Sequence, residues 1–363
     1  GSNGTYTVKF GETVNLTITP KAGYHNATWT QLETDSETVE ISGNSFAFNV
    51  TSTVNLYATA VARTDTAYTV KYFYQNVNGN GYDEITSMEV DGKGTTDTDI
   101  TIDTYIANGL TGEYATGFTF SHRVTYNTAD EEGTQGGSIN IDGDGRRVVE
   151  LYYTRAQYSF TLNTDIDTGY TLGLQVGGQR QENFTNVQVY HGQEVVITVT
   201  VNAGYTLTGY TSSNPTLFNS ITGLSVTGAV DTQEITMPKG DLTLTANIIR
   251  NTDTAFTAHI MFEKLDVTGQ TGNDRYEEKT VTFFADGATG TGTTDAQITE
   301  SHLTSILNTV SGNAASNGFT RVSFGAQMTT DGTVGNVTIA GDGSSEVYIY
   351  YNRMTGTLTI NYL

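Results

Sequence analysis

The chain has 363 residues and a formal net charge of −22, from 39 Asp and Glu against 17 Lys and Arg. Such an acidic surface repels phosphate backbones and anionic lipid headgroups, which argues against nucleic-acid binding and electrostatic membrane binding. The complete absence of cysteine excludes disulfides and zinc–thiolate sites, and the abundance of Thr, Asn, Ser and Gly favours strands over helices.

The sequence repeats itself, and two recurring segments alternate in the order A-B-A-B. We predict a first A module (A1) at 1–66, a first B module (B1) at 67–156, a second A module (A2) at 157–253 and a second B module (B2) at 254–354. Residues 355–363 are predicted to be the first strand of a further A module. The junctions are short and the chain has only three prolines, so a semi-rigid rod is expected.

The two A modules share short motifs in the same order. Gly-Glu-Thr-Val at 11–14 and Ala-Gly-Tyr at 22–24 in A1 correspond to Gly-Gln-Glu-Val at 192–195 and Ala-Gly-Tyr at 203–205 in A2. A1 lacks a counterpart of the A2 opening, so the sequence is expected to begin inside one A module. Because only strand-like runs and Gly/Asn turns occur, the A module is predicted to be a small all-β unit, a sandwich or a meander.

The B module opens with a half-buried strand. In B1, Tyr68, Val70, Tyr72 and Tyr74 alternate with more polar residues, and Asn-Gly-Asn-Gly at 78–81 is typical of a hairpin turn. The last strand of B1 is predicted to alternate in the same way.

A short amphipathic helix follows in each B module. In B2, the apolar residues from Leu303 to Val310 have helical spacing, with Thr299 as the N-cap and Gly312 as the stop. In B1 the helix is predicted to be shorter, from Thr101 to Leu110. The order strand–strand–helix–strand–strand predicts a β-grasp-like α+β unit, and the whole chain is predicted to be a mainly β tandem array.

These motifs carry a family resemblance. The opening of B1 at 68–76, its Gly-Phe-Thr at 117–119 and its closing Tyr-Tyr-Thr-Arg at 152–155 resemble mucin-binding-protein-type and internalin B-repeat-type β-grasp domains. The A module, with its Ala-Gly-Tyr, resembles the divergent internalin B-repeat domain. The resemblance implies a multi-repeat surface protein of Gram-positive or gut bacteria, in which repeats hold an adhesive end away from the cell wall. Its location would be extracellular, with targeting and anchoring segments outside this sequence.

Catalysis is not expected. The five histidines form no His-Glu-x-x-His spacing, and no Gly-x-Ser-x-Gly nucleophile elbow is present. Neighbouring carboxylates such as Glu277 and Glu278 point apart on a strand, so they do not form a glycosidase pair. No cofactor is expected other than calcium.

Calcium is a candidate at two places. Asn76, Asn78 and Asn80 echo the first half of a calcium loop, and Asp142 and Asp144 form a second candidate group. The alternative is that these Asn-Gly and Asp-Gly sequences simply make hairpin turns.

Two tyrosines are candidate ligand sites. Tyr152 and Tyr350 alternate with the predicted core residues Tyr153 and Tyr351, so they are expected to face outward, where they can stack on sugar rings. The alternative is cross-strand packing. Two functions therefore stay open: a structural stalk, or an adhesin segment that binds host mucin, glycan or extracellular matrix protein.

No run of residues approaches the roughly 18–20 apolar positions that a membrane-spanning helix requires, so direct membrane insertion is not expected. The chain is predicted to be a monomer. Strand-like residues 357–363 are predicted to pair head-to-tail with the incomplete A1 module of a neighbouring molecule.

Overall fold

The structure is a computed structural model, and it describes residues 4–127, 132–215, 229–279, 287–313 and 316–362. Contacts divide the chain into two compact units, Gly1–Gln157 and Tyr158–Leu363.

The A1 region of the first unit contains two small antiparallel sheets, one pairing β1 with β4 and the other ordered β3-β2-β5. Its strands are β1 (Thr13–Thr17), β2 (Tyr24–Thr34), β3 (Thr38–Glu40), β4 (Ser45–Asn49) and β5 (Val54–Ala62). The apolar interior is thin: Ala27 and Leu32 are buried, whereas Tyr57 and Val61 on β5 remain exposed.

The B1 region forms one mixed sheet, ordered β10-β9-β11-β6-β7, with β8 also paired to β6. Its elements are β6 (Thr66–Gln75), β7 (Tyr82–Glu84), β8 (Val90–Gly94), α1 (Ile102–Asn108), β9 (Phe118–Tyr126), β10 (Thr134–Gln135) and β11 (Arg147–Arg155). The central strands β6 and β11 run parallel, and the other pairs are antiparallel.

The B1 core is formed by the side chains that alternate inward along its central strands. Val70 and Tyr72 on β6 lie beside Val149, Leu151 and Tyr153 on β11, and all five side chains are buried in one cluster. These are the inward positions predicted from the alternation of apolar residues.

In the second unit, the A2 region packs two four-stranded sheets against each other, ordered β15-β12-β19-β17 and β14-β13-β16-β18. Its strands are β12 (Gln157–Thr164), β13 (Tyr170–Val176), β14 (Gln179–Arg180), β15 (Val187–Tyr190), β16 (Glu194–Val201), β17 (Tyr205–Ser212), β18 (Val230–Thr236) and β19 (Leu242–Arg250). Phe160 and Leu162 of β12 and Leu242 and Leu244 of β19 belong to the core between the sheets.

The B2 region repeats the B1 topology, with a sheet ordered β21-β20-β24-β23 and β22 paired to β20. Its elements are β20 (Thr254–Glu263), β21 (Tyr276–Glu278), β22 (Ala288–Gly292), α2 (Glu300–Ser311), β23 (Phe319–Gly325) and β24 (Glu346–Arg353). Thr299 caps α2 in a capping box with His302, and Leu303, Ile306 and Val310 point into the core.

The predicted mainly β fold is confirmed, and both helices lie within two residues of their predicted bounds. The strands of each sheet fall inside one predicted module, except that β6 begins one residue before the predicted start of B1, and the module boundaries themselves stay a prediction. Residues 354–362 form no strand, so the strand expected over 357–363 is not formed in its described part, and Leu363 lies outside the described residues. Within the described ranges, no helix is both long and apolar enough to cross a membrane.

Candidate functional site

The first unit contains a close joint between A1 and B1, centred on Thr96. The Thr96 hydroxyl donates a hydrogen bond of 2.8 Å to the carbonyl oxygen of Gly23 and lies 2.7 Å from the hydroxyl of Thr66. Both threonines are buried. The backbone of Arg63 completes the contact, because its N–H donates to the Gly23 carbonyl and its carbonyl accepts from the Thr96 N–H.

A tyrosine and an aspartate close the outer side of this joint. The Tyr24 hydroxyl donates a hydrogen bond to Asp97, and this bond raises the pKa of Tyr24 above its usual value. Asp97 has a φ of +62°, a left-handed conformation that Asp tolerates better than most residues. The turn that contains Thr96 and Asp97 therefore places both side chains against the Ala-Gly-Tyr segment of A1.

A glycine allows the two backbones to touch. Gly143 lies in the Asp-Gly-Asp-Gly loop of B1, and a Cβ atom at this position would collide with the carbonyl oxygen of Ala22. Any other residue at 143 would force the A1 and B1 backbones apart.

The second unit contains the same joint between A2 and B2. The hydroxyls of Thr254 and Thr294 lie 2.7 Å apart, and both side chains are buried. The Asn251 N–H donates to the Gly204 carbonyl, and the Asn251 carbonyl accepts from the Thr294 N–H. Gly341 takes the place of Gly143, because a Cβ there would collide with the carbonyl oxygen of Ala203.

The second joint also has a tyrosine–aspartate pair, to which it adds a cation. Tyr205 donates to Asp295, and the Arg250 Nε donates to the same carboxylate at 2.9 Å. Hydrogen bonds from Tyr205 and Arg250 lower the pKa of Asp295. Burial raises the pKa of Tyr205, and the hydrogen bond to Asp295 raises it further. In the first joint Ala62 takes the place of Arg250, so that joint lacks this cation.

The joint residues were visible in the sequence only as matched motifs. Ala-Gly-Tyr at 22–24 and 203–205 and the Gly-Asp-Gly loops at 143–145 and 341–343 recur in both copies, and neither motif by itself predicts a contact between modules. The signal that points to a joint is that an Ala-Gly-Tyr motif in an A module is followed, in both copies, by a Gly-Asp-Gly loop in the next B module.

Tyr152 lies on the face of the B1 sheet opposite the core, as predicted. Its ring stacks on His122 at 4.7 Å and on Phe73 at 4.9 Å, and it meets the edge of Tyr82 at 5.1 Å. Its hydroxyl donates to Glu150 at 2.7 Å. These four rings, Phe73, Tyr82, His122 and Tyr152, are half-buried and form what we call the aromatic patch of B1.

The expectation that Tyr350 faces solvent is wrong. Its side chain is 0% exposed and packs with Met261 and Tyr276 on the outer side of the B2 sheet. The Tyr350 hydroxyl donates to Asn273 and accepts from the Met328 N–H. The physical reason is that segments specific to B2, including the stretch around Asn273, cover this face, so a sugar ring cannot stack on it.

The first calcium candidate is a hairpin turn in the structure. The side-chain oxygen of Asn76 accepts from the Asn80 N–H at 3.2 Å, and the Asn76 carbonyl accepts from the Gly79 N–H at 3.1 Å. Asn78 and Asn80 are exposed. These contacts are those of a simple hairpin turn, which is the alternative to a calcium loop at this segment. Calcium binding by Asn76, Asn78 and Asn80 stays a prediction.

The carboxylates of the second calcium candidate already have protein partners. Asp142 accepts from Asn127 at 2.8 Å, and Asp144 accepts from the Arg146 backbone and side chain. Burial by itself raises the pKa of Asp144, but hydrogen bonds from Arg146 bring it below its usual value. Over the described residues, no three His, Asp or Glu side chains converge as a metal site requires.

Comparisons with known proteins match the A modules. A family model of the divergent InlB B-repeat domain matches residues 1–72 and 175–251, which together make up less than half of the chain. This match supports the predicted resemblance of A1 and A2 to that repeat family, and the resemblance predicted for the B modules stays a prediction. No curated protein matches the chain significantly.

Solved structures of low similarity were also found. The chain is similar to the pilus adhesin SpaC from Lactobacillus rhamnosus GG at 10% identity and a TM-score of 0.25, over 92% of this chain and 47% of that chain. It is similar to the TIE protein of Bacillus anthracis at 9% identity and a TM-score of 0.24, over 92% and 52% of the two chains. The chain spans about half the length of these structures.

Proposed function

We propose that this chain is a non-catalytic repeat region of a bacterial cell-surface protein, where it acts as a semi-rigid extracellular stalk that presents an adhesive region. The observation that carries the proposal is the A–B joint, which recurs in both units on equivalent residues. The match of both A modules to a repeat-domain family supports it.

The joint has the physical properties of a stiff connection. Only three residues separate the last strand of A1, which ends at Ala62, from the first strand of B1, which begins at Thr66. The inner part of the contact is made by backbone groups and buried threonines, and a tyrosine–aspartate pair closes its outer side. Bending the joint would break the buried hydrogen bond from the Thr96 hydroxyl to the Gly23 carbonyl, which costs about 0.5–1.5 kcal/mol.

A distance measurement within the first unit tests this proposal. The chain has no cysteine, so Thr38→Cys in A1 and Thr104→Cys in B1 give two spin labels without background. Both positions are exposed. We expect pulsed electron–electron double resonance to give a narrow distribution of distances between the two spin labels. A distribution as broad as that of two freely linked modules would overturn the stalk proposal.

Two variants of the labelled chain test whether the joint is the cause of a narrow distance distribution. Thr96→Val combined with Tyr24→Phe removes the side-chain hydrogen bonds of the joint and is expected to broaden the distribution. The control Tyr57→Phe removes a tyrosine–carboxylate bond of 2.9 Å to Glu33 that lies inside A1. It is expected to leave the distribution unchanged.

A second candidate function is direct adhesion through the aromatic patch of B1. Four half-buried rings on one sheet face favour it, because a sugar ring can stack on aromatic surfaces. The ligand would be a host mucin, a glycan or an extracellular matrix protein. Because the equivalent Tyr350 is buried, the patch occurs in B1 and is not repeated in B2.

Binding of the labelled chain to immobilised mucins, glycans and matrix proteins tests this second function. Saturable binding that Tyr152→Ala abolishes and Tyr57→Ala retains would assign adhesion to the patch. Binding that both variants retain would place the ligand elsewhere, and no binding at all would leave the stalk alone.

A further inference from the structure

The two B modules carry corresponding side chains on the outer faces of their sheets. Strand pairing gives the correspondence for the whole aromatic patch: Phe73, Tyr82, His122 and Tyr152 in B1 correspond to Met261, Tyr276, Ser323 and Tyr350 in B2. The face that is half-buried in B1 is therefore the face that is covered in B2.

In B2 the chain covers this face with its own polypeptide. The Met328 side chain packs against the cluster that contains Tyr350, and the Met328 N–H donates to the Tyr350 hydroxyl at 2.7 Å. That hydroxyl donates to the side-chain oxygen of Asn273 at 2.8 Å. On the same face, Arg275 donates to Glu263 at 2.6 Å. A backbone N–H, a flexible apolar side chain and a basic side chain therefore fit on this face.

B1 lacks this cover in the part of the chain that the structure describes. The connection between β6 and β7 spans residues 76–81, whereas the connection between β20 and β21 spans residues 264–275. The Tyr152 hydroxyl donates to Glu150 on its own strand, and over the described ranges no other segment bonds to this hydroxyl. The aromatic patch is thus an uncovered copy of a face that seats polypeptide in B2.

Ring stacking limits what can bind at Tyr152. Strand β11 lies between β9 and β6, so His122 and Phe73 flank the Tyr152 ring on opposite sides. The interplanar angles are 1° with His122 and 16° with Phe73, so both faces of the Tyr152 ring are occupied. Because a sugar ring stacks on the face of an aromatic ring, this geometry favours a polypeptide over a glycan at Tyr152.

A carboxylate stands beside the patch and is held in place by two tyrosines. Glu150 accepts hydrogen bonds from Tyr126 at 2.9 Å and from Tyr152 at 2.7 Å. Burial and the hydrogen bond to Glu150 raise the pKa of Tyr126 to about 12, so this hydroxyl stays a donor at neutral pH. The Glu150 carboxylate is therefore fixed in position before any partner arrives.

The charges around the patch favour a basic partner. Lys71, the cross-strand neighbour of Glu150, pairs with Glu84 at 3.0 Å and with Glu89 at 3.3 Å. This face has three carboxylates against one ammonium group, and within the described residues Glu150 forms no ion pair. A Lys or Arg supplied by a partner would make a charge-assisted hydrogen bond to Glu150, as Arg275 does to its carboxylate in B2.

We propose that the aromatic patch of B1 docks an extended segment of a partner protein, in the way that the B2 face seats its own cover. An unbranched apolar side chain such as methionine packs on the rings, and a Lys or Arg of the same segment pairs with Glu150. The inference rests on the second candidate function, adhesion through this patch, and names a basic polypeptide as the partner.

Binding of short synthetic peptides to the intact chain tests the proposal. The probe is a fluorescently labelled peptide with a central methionine flanked by lysines in a serine and glycine background. One control peptide replaces the methionine by serine, and another replaces the lysines by glutamates. Fluorescence anisotropy is expected to give the probe a dissociation constant at least about tenfold lower than that of either control, which corresponds to about 1.4 kcal/mol.

Because the chain is acidic overall, the variants need a charge-matched control. Glu150→Gln removes a charge at the patch and keeps the side-chain shape, and it is expected to weaken probe binding at least about fivefold. Glu33→Gln removes the same charge at a carboxylate in A1 that also accepts from a tyrosine, and it is expected to bind the probe as the unmodified chain does. Tyr152→Ala is expected to abolish binding, and thermal melts establish that each variant is folded.

The outcomes separate this inference from the adhesion function on which it rests. Equal affinity for the probe and the control peptides, or an equal loss for Glu150→Gln and Glu33→Gln, would overturn the polypeptide assignment. Binding of mucin glycans that depends on Tyr152, without a preference for the probe, would overturn it as well and leave adhesion through the patch standing. Absence of any binding that depends on Tyr152 would overturn both.

Discussion

The hydroxyl of Tyr205 donates a hydrogen bond to Asp295, a residue 90 positions further along the chain and in the next module. Tyr24 and Asp97 make the same bond in the first unit. Each bond closes a joint whose inner part consists of two buried threonines and a backbone contact at a glycine.

The second joint is expected to weaken at both extremes of pH. The pKa of Asp295 is lowered from 3.8, so its contribution to stability is present above pH 3.8 and is lost as the pH falls through the lower, folded-state value. The pKa of Tyr205 is raised from 10.0, so its contribution is present below pH 10.0 and is lost as the pH rises through the raised value.

Thermal melts across pH check both limits. Asp295→Asn is expected to lower the melting temperature at pH 7, and the difference from the unmodified chain should shrink below pH 3.8. Tyr205→Phe is expected to lose its effect only above pH 10. Glu182→Gln, at an exposed ion pair with Arg180, serves as the control and is expected to have almost no effect. A pH-independent difference for Asp295→Asn would contradict the assignment.

Gly341 is expected to tolerate no side chain. A Cβ at this position collides with the carbonyl oxygen of Ala203, so Gly341→Ala should destabilise the second unit by about 1–3 kcal/mol through overpacking. Gly335→Ala is the matched control, because the new Cβ would meet only the Cβ of Ala326 at an ordinary 3.8 Å. Urea unfolding of both variants measures the difference. Equal unfolding midpoints would show that the joint accommodates the added methyl group without loss of stability.

Tyr210 is expected to stabilise A2 through its hydroxyl. This hydroxyl donates to the buried carboxylate of Asp231 at 2.8 Å, and Gln233 also donates to that carboxylate. Burial, together with this bond, raises the pKa of Tyr210. Tyr210→Phe leaves Asp231 with one donor fewer and should lower the free energy of unfolding by about 1–3 kcal/mol.

Chemical denaturation of the Tyr210→Phe variant measures this loss. Tyr190→Phe is the comparison within A2, and it should cost less because the Tyr190 hydroxyl makes no hydrogen bond to any residue that the structure describes. A loss of equal size in both variants would indicate that the bond to Asp231 contributes nothing specific.

Thr299 is expected to stabilise α2 as its N-cap. Thr299→Ala removes the side-chain half of the capping box with His302 and should cost about 1 kcal/mol. Thr304→Ala, at an exposed position on the same helix, should cost nothing, because Ala has the higher helix propensity. Thermal melts of the two variants compare them, and similar melting temperatures would argue against the capping role.

Local patterns in the sequence predicted most of the elements. The apolar spacing from Leu303 to Val310 located α2, and the alternation along Tyr68 to Tyr74 located β6, because each pattern reflects contacts of one element with one core. The joints were not predicted, because Gly23 and Thr96 lie 73 residues apart and neither residue type indicates a partner by itself.

Tyr350 illustrates the same limit of local reasoning. Strand alternation gave the correct side of the sheet for both Tyr152 and Tyr350. It carried no information about what covers that side. The covering residues Asn273 and Met328 come from loops on either side of α2, and only their tertiary placement buries Tyr350.

The backbone contact at a glycine in each joint has a consequence for how such repeats diverge. The coupling between modules rests on main-chain atoms and a few side chains, which occupy a small part of each module. The broad sheet faces take no part in it, and B1 and B2 already differ there, one with four half-buried rings and the other with a covered tyrosine. Mutations can therefore alter the displayed surface of one copy without changing how that copy is held by its neighbour.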